Sequence, residues 1–179
     1  MQANVTKKLS ALSTGVGLVL LCYMAYATIY GPYKTTFVHL AIFALCSFVA
    51  LFLDSIIQNI RSKIGILKNF SLLVASVLVL GYFIIEFERL INLWGSTYLS
   101  SWDILLGGFF VIICIEASWR QSLVLGALAV TSCLYMLFGD YLPGLFSHAG
   151  MDFERFIYIV VYTSEGLFGT GLKVAATYL

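Results

Sequence analysis

Five apolar runs, at Leu9–Ile29, Phe37–Leu53, Phe70–Phe87, Trp102–Ala117 and Leu123–Phe138, constrain this chain more than any other feature of its sequence. A helix of about 20 residues crosses a bilayer and satisfies its own backbone there. The last two runs reach that length by extending into their flanks. Hydrophobic residues make up 61% of the chain and charged residues 11%, whereas a soluble domain keeps about a quarter of its residues charged. A water-facing shell could not cover so much apolar mass. The sequence therefore predicts an all-α integral membrane protein, a bundle of about five transmembrane helices with interfacial amphipathic helices and lipid as its solvent.

Punctuation supports this. Pro32 and Pro143 lie between runs, where a missing N–H breaks no helix bond. Trp94, Trp102 and Trp119 sit at run ends, as in an aromatic belt. Lys7 and Lys8 precede a run too long for a signal peptide, with no small-residue cleavage pattern after it, so it reads as a retained span. One set of connections carries Lys7, Lys8, Arg61, Lys63, Lys68 and Arg120. The other carries Lys34, Arg89 and Arg155 with Glu88, Asp103, Asp140, Asp152 and Glu154. Loops rich in Lys and Arg stay inside, which predicts a cytoplasmic N-terminus.

Two connecting segments carry helical periodicity. Ile56, Ile57, Ile60, Ile64 and Leu67 share one face of Asp54–Lys68, which predicts a helix lying in the interface with its lysines toward headgroups. Arg155, Tyr158, Tyr162 and Glu165 form a polar stripe on an otherwise apolar helix after Met151. Beyond Gly166, Gly169 and Gly171 the final apolar stretch to Leu179 is too short to span.

Chemistry is sparse. A net charge of +1 gives no field for nucleic acid. Cys22, Cys46, Cys114 and Cys133 fall inside apolar runs without a CxxC pair, and read as small buried side chains. No HExxH, glycine-rich phosphate loop, GxSxG or paired intramembrane aspartates occur, so neither an enzyme nor a cofactor is expected. His39 has no second histidine nearby, which argues against a metal site. Glu116 and Arg120, four residues apart, are expected to pair as a structural clamp. Glu86, Glu88 and Arg89 read as a solvated cluster at a span end. Gly15, Gly17, Gly107 and Gly108 read as points of close helix packing.

Three blocks then resemble, in order, the N-terminal part of fused permeases of the tripartite ATP-independent periplasmic (TRAP) transporters. The first is Tyr26-Ala-Thr-Ile-Tyr-Gly31 with Val38-His39-Leu40-Ala41. The second is Trp102-Asp103-Ile-Leu-Leu-Gly107, then Ile115-Glu116-Ala117-Ser118-Trp119-Arg120 and Gly126. Family members typically carry two arginines after that Glu-Ala, and here Trp119 replaces the first. The third, closest to the TAXI-type branch, is Phe138-Gly139-Asp-Tyr-Leu-Pro143-Gly144, His148-Ala-Gly150, Glu154-Arg155, Thr163-Ser-Glu165-Gly166-Leu-Phe-Gly169 and Val174-Ala-Ala-Thr177.

The resemblance implies three segments. Residues 1–120 would be a four-span scaffold similar to the small membrane subunit, and 121–150 a linker span with an outer loop. Residues 151–179 would open a large permease domain whose substrate and sodium sites lie in later hairpins. It implies a non-catalytic part of a secondary transporter for organic acids in a bacterial or archaeal cytoplasmic membrane. Its partners would be the large permease subunit, or the missing C-terminal part of the same chain, and a periplasmic substrate-binding protein. The alternative is an unrelated small polytopic adaptor or structural protein.

Overall fold

Hydroxyl caps start two of the long helices. Thr35, in an extended conformation, accepts from the Val38 amide at 3.3 Å and opens α2, Thr36–Gln58. Ser62 accepts from the Gly65 amide at 3.2 Å and opens α3, Lys63–Ile85. Such caps pair amides that a first turn leaves without intrahelical partners. The computed structural model describes residues 2–31, 35–59, 62–92, 99–144, 147, 149–163 and 166–178. Besides α2 and α3 it contains α1 (Gln2–Tyr30), α4 (Phe87–Asn92), α5 (Ser101–Gln121), α6 (Leu123–Phe138), α7 (Phe153–Tyr162) and α8 (Thr170–Tyr178). A 3-10 turn, Gly139–Tyr141, continues α6. No strand occurs among the described residues.

Five helical segments are long and apolar enough to cross a membrane: Lys7–Ala27, Thr36–Gln58, Lys63–Ile85, Ser101–Gln121 and Leu123–Tyr141. The expected all-α membrane bundle is what the chain forms. The two short runs do lengthen, the fourth at both ends and the fifth through the 3-10 turn.

The chain divides into two compact units, Met1–Glu88 with Thr170–Leu179, and Arg89–Gly169. In the first, α2 packs between α1 and α3, and α8 rests on α2 and α1. The α1–α2 pair is antiparallel, because Ser13 donates to Asp54 at 2.7 Å while Tyr23 meets His39 farther along. Val38, Leu40, Ala41 and Phe52 of α2 and Val79, Leu80 and Phe83 of α3 are buried. In the second unit α5 and α6 form a hairpin and α7 packs on α5. Phe110, Ile113, Phe156, Ile157, Val161 and Tyr162 supply its buried apolar mass.

Several expectations are overturned. Asp54–Lys68 is not a separate interfacial helix. The chain turns at Asn59, and the segment is divided between the end of α2 and the start of α3. Its described isoleucines belong to two spans, so Ile56 is buried while Ile64 is 82% exposed and Leu67 71% exposed. Of the polar stripe, Arg155 is exposed, Tyr162 ends α7 with its side chain buried, and Glu165 lies outside the described residues. Gly15 and Gly17 are not packing points, since a Cβ at either would meet nothing within 4 Å. Cys22 is exposed, on a span only lightly covered by the rest of the chain.

Candidate functional site

A polar arrangement gathers where α5 begins. Asp103 lies in the first turn, three residues after Ser100, and its Oδ2 accepts from the Ser100 amide at 2.9 Å. An acidic side chain there caps orphan amides and faces the positive end of the helix dipole. Arg89 of α4 donates from Nη1 to Oδ2 at 2.9 Å and from Nη2 to Oδ1 at 2.7 Å. Asp103 is fully buried and Arg89 is 41% exposed. The forked geometry is the strong form of the Arg–carboxylate contact. It corrects the expected solvated cluster, because Arg89 is tied to a buried carboxylate fourteen residues on.

Tyr162 of α7 completes the arrangement by donating its O–H to the backbone carbonyl of Asp103 at 2.8 Å. One turn along α5, Gly107 lets α7 approach: a Cβ there would sit 2.5 Å from Ile157 Cγ2 and 3.4 Å from Tyr162 Cε2. The expected close packing at Gly107 is thus real, and Ile157 and Tyr162 occupy the space. Phe110 stacks on Phe168 with ring centroids 5.3 Å apart. Both oxygens of Asp103 hold donors, and the carboxylate works as an anchor.

At the other end of α5, Arg120 donates to Glu116 Oε1 from Nε at 3.1 Å and from Nη2 at 2.9 Å. Beyond the turn at Ser122, Gly126 lies under Trp119: a Cβ there would meet Trp119 Cε3 at 2.5 Å and Trp119 Cα at 2.8 Å. Glu116, Arg120 and Gly126 therefore fall in one hairpin end, with Trp119 among them.

The remaining motif positions are dispersed. His39 lies in the other unit, where its Nδ1 is 3.1 Å from the Tyr23 hydroxyl and its ring meets the Ala176 backbone of α8. Gly139 ends α6 and is buried. Pro143 is exposed, and Gly144 adopts φ 66°, which favours glycine. Gly150 faces Asp140, whose Oδ1 would lie 2.9 Å from a Cβ at that position. Gly166 turns the chain back onto α7, and the carbonyls of Ile159 and Val160 fill the place of any side chain there. Gly169 is buried, its amide bonded to the Gly166 carbonyl at 2.9 Å. His148 and Glu165, together with Pro32, Lys34, Ile60, Arg61 and Trp94, lie outside the described residues.

Two cavities border α5. One, about 230 Å³, is lined by Val111, Cys114, Cys133, Met136, Val160 and Leu167 among others. The second, about 390 Å³, runs along Leu105, Gly108, Phe109, Ile112 and Phe153. Their linings are overwhelmingly apolar. Among the described residues no three His, Cys, Asp or Glu side chains converge as a metal site. Every buried side-chain nitrogen or oxygen among them has a partner.

Sequence reasoning missed the Arg89–Asp103 pair and the Tyr162 bond. Half of the first was available, since Ser100 and Asp103 have the spacing of a helix-opening box. Nothing local marks Tyr162, which lies 59 positions from its acceptor. Comparison with protein-family models, with curated proteins and with solved structures finds no match in any of the three.

Proposed function

We propose that this chain is the scaffold portion of a TRAP-type secondary transporter for organic acids and does not itself hold the substrate and ion sites. One observation carries the proposal. Four of the described positions at which the chain resembles that family serve internal contacts. Asp103 anchors Arg89 and Ser100, Gly107 admits Ile157, Glu116 pairs with Arg120, and Gly126 underlies Trp119. Residues with those duties hold helices in register. A transport site instead presents unpaired carbonyls, helix ends or charges to a wet cavity at mid-membrane.

The setting is the cytoplasmic membrane of a bacterium or archaeon with the N-terminus inside, as the basic residues at Lys7, Lys8, Lys63, Lys68 and Arg120 favour. The partner is a large permease subunit, separately encoded or continuous with this chain, that contributes the transport hairpins. A periplasmic binding protein would deliver substrate to the assembled complex.

The test is extraction of the N-terminally tagged chain in mild detergent, followed by mass spectrometry of stoichiometric companions. A large polytopic permease, with or without a periplasmic binding protein, is the expected result. Recovery as a homo-oligomer free of such a companion would remove the scaffold role and assign the chain to small structural or adaptor proteins.

A further inference from the structure

The end of the first unit that carries the N-termini of α1 and α3 is charged and greasy at once. Lys7 and Lys8 are exposed in the second turn of α1. Lys63 and Lys68 are exposed in the first two turns of α3. Because α1 and α2 are antiparallel, and the Ser62 amide that precedes α3 donates to the Asn59 carbonyl that follows α2 at 2.9 Å, these lysines share one end of the unit. Asp54, near the end of α2, is the described carboxylate at that end, and it already accepts from Ser13 at 2.7 Å. Glu86 and Glu88 lie beyond the far end of α3. Among the described residues this end therefore carries four lysines against one carboxylate, and Lys173 of α8 is a further exposed cation of the unit.

Large apolar side chains stand among the lysines. At 100° per residue, Phe70, Lys63, Leu67, Ile64 and Lys68 fall in that angular order within about half of the α3 circumference. Phe70, Ile64 and Leu67 are exposed in the same sector as the two lysines. On α1 the exposed Leu12 follows Lys8 by four residues, one turn farther along. Water would not cover Ile64 and Leu67, and bare hydrocarbon would not accommodate Lys68, which lies a turn deeper than Ile64. One ligand chemistry meets both demands: acyl chains over the apolar side chains and an anionic headgroup at the boundary, reached by snorkelling lysine stems.

We propose that this end of the unit binds anionic phospholipid, with headgroup phosphate on Lys7, Lys8, Lys63 and Lys68 and acyl chains along Leu12, Ile64, Leu67 and Phe70. The site is independent of the scaffold role and exists whichever large partner the chain has.

The experiment titrates the full chain, purified in neutral detergent, with phosphatidylglycerol or with phosphatidylcholine of identical acyl chains. Retained lipid is counted by native mass spectrometry. Phosphatidylglycerol is expected to bind roughly tenfold or more tightly than phosphatidylcholine. That preference should fall to near parity when Lys7, Lys8, Lys63 and Lys68 are all changed to Gln, and persist when all four are changed to Arg. Raising salt from about 0.05 to about 0.5 M should weaken phosphatidylglycerol retention by the native chain, a readout that needs no variant to fold. Glycerol phosphate, which has the anion without the chains, should not compete. Equal retention of the two lipids, a preference that survives the Gln substitutions, or salt-insensitive retention would each overturn the proposal. Effective competition by glycerol phosphate would overturn its lipid part.

Discussion

Arg89 grips the buried carboxylate of Asp103 with both terminal nitrogens, at 2.9 and 2.7 Å, and so fastens α4 to the first turn of α5. A planar guanidinium fork matches a carboxylate in a way that a lysine ammonium cannot. The same carboxylate caps α5 through the Ser100 amide. One side chain thus closes a helix end and an interhelical connection together.

Asp103→Asn keeps the shape but offers one acceptor where two oxygens served, and turns an amide NH₂ toward Arg89. We expect a loss of about 2 kcal/mol, the scale of a charged hydrogen bond removed from a buried partner. Arg89→Lys should cost about half as much, because charge survives and the fork does not. A double-mutant cycle of Arg89→Ala and Asp103→Ala, read by unfolding in detergent, should give a coupling of roughly 1 kcal/mol or more. Additive losses would mean that the pair contributes nothing through direct contact.

Tyr162→Phe removes one hydroxyl from a buried position and leaves the Asp103 carbonyl without its 2.8 Å donor. The ring still fills the space near Gly107, so packing is conserved. The expected cost is about 1 kcal/mol, with helicity unchanged by circular dichroism. A neutral substitution would show that the hydroxyl is replaceable by water, contrary to its burial.

Gly107→Ala tests how closely α5 and α7 approach. Alanine favours a helix over glycine by up to about 1 kcal/mol, so a surface glycine would be stabilised by this change. Here the added methyl would sit 2.5 Å from Ile157 Cγ2, and overpacking of that kind costs about 1–3 kcal/mol. A net loss is expected. Ile157→Ala deletes the obstructing methyl, so the double variant should be more stable than the two single losses add up to. Strict additivity would contradict the clash.

The spans, their approximate limits and the all-helical class were legible because hydrophobic run length is a local property of the sequence. Side-chain pairs were legible only where partners lie within helical reach, as Glu116 and Arg120 do four residues apart. Arg89 and Asp103 read as loop charges because the chain between them hides that α4 and α5 meet. The Asp54–Lys68 segment misled for a related reason: its isoleucines keep helical phase across a turn, while Ser62 and Asn59 interrupt the helix at that point. Periodicity records which face is apolar, and it does not record whether one helix or two carry that face. Gly107 and Gly15 look alike in sequence, yet only Gly107 is touched by a neighbouring helix.

Gly126 provides a contrast with Gly107 that isolates backbone from side chain. A methyl at 126 would meet Trp119 at Cε3, 2.5 Å, and Cδ2, 2.8 Å, but also at its Cα, 2.8 Å. A side chain can be trimmed, whereas the backbone of residue 119 belongs to the hairpin itself. The local chain is fixed on both sides, by the Ser122 amide on the Ser118 carbonyl and by the Gly126 amide on the Ser122 carbonyl, each at 3.0 Å. Gly126→Ala should therefore open the α5–α6 hairpin and cost about 1–3 kcal/mol despite the better helix propensity of alanine. Trp119→Ala removes the indole atoms and leaves the clash with the backbone, so the double variant should regain only part of that loss. Full rescue, measured by the same unfolding assay, would mean that the indole alone excludes a side chain at 126. In that case the close approach would be a matter of one tryptophan rotamer rather than of the path of the chain.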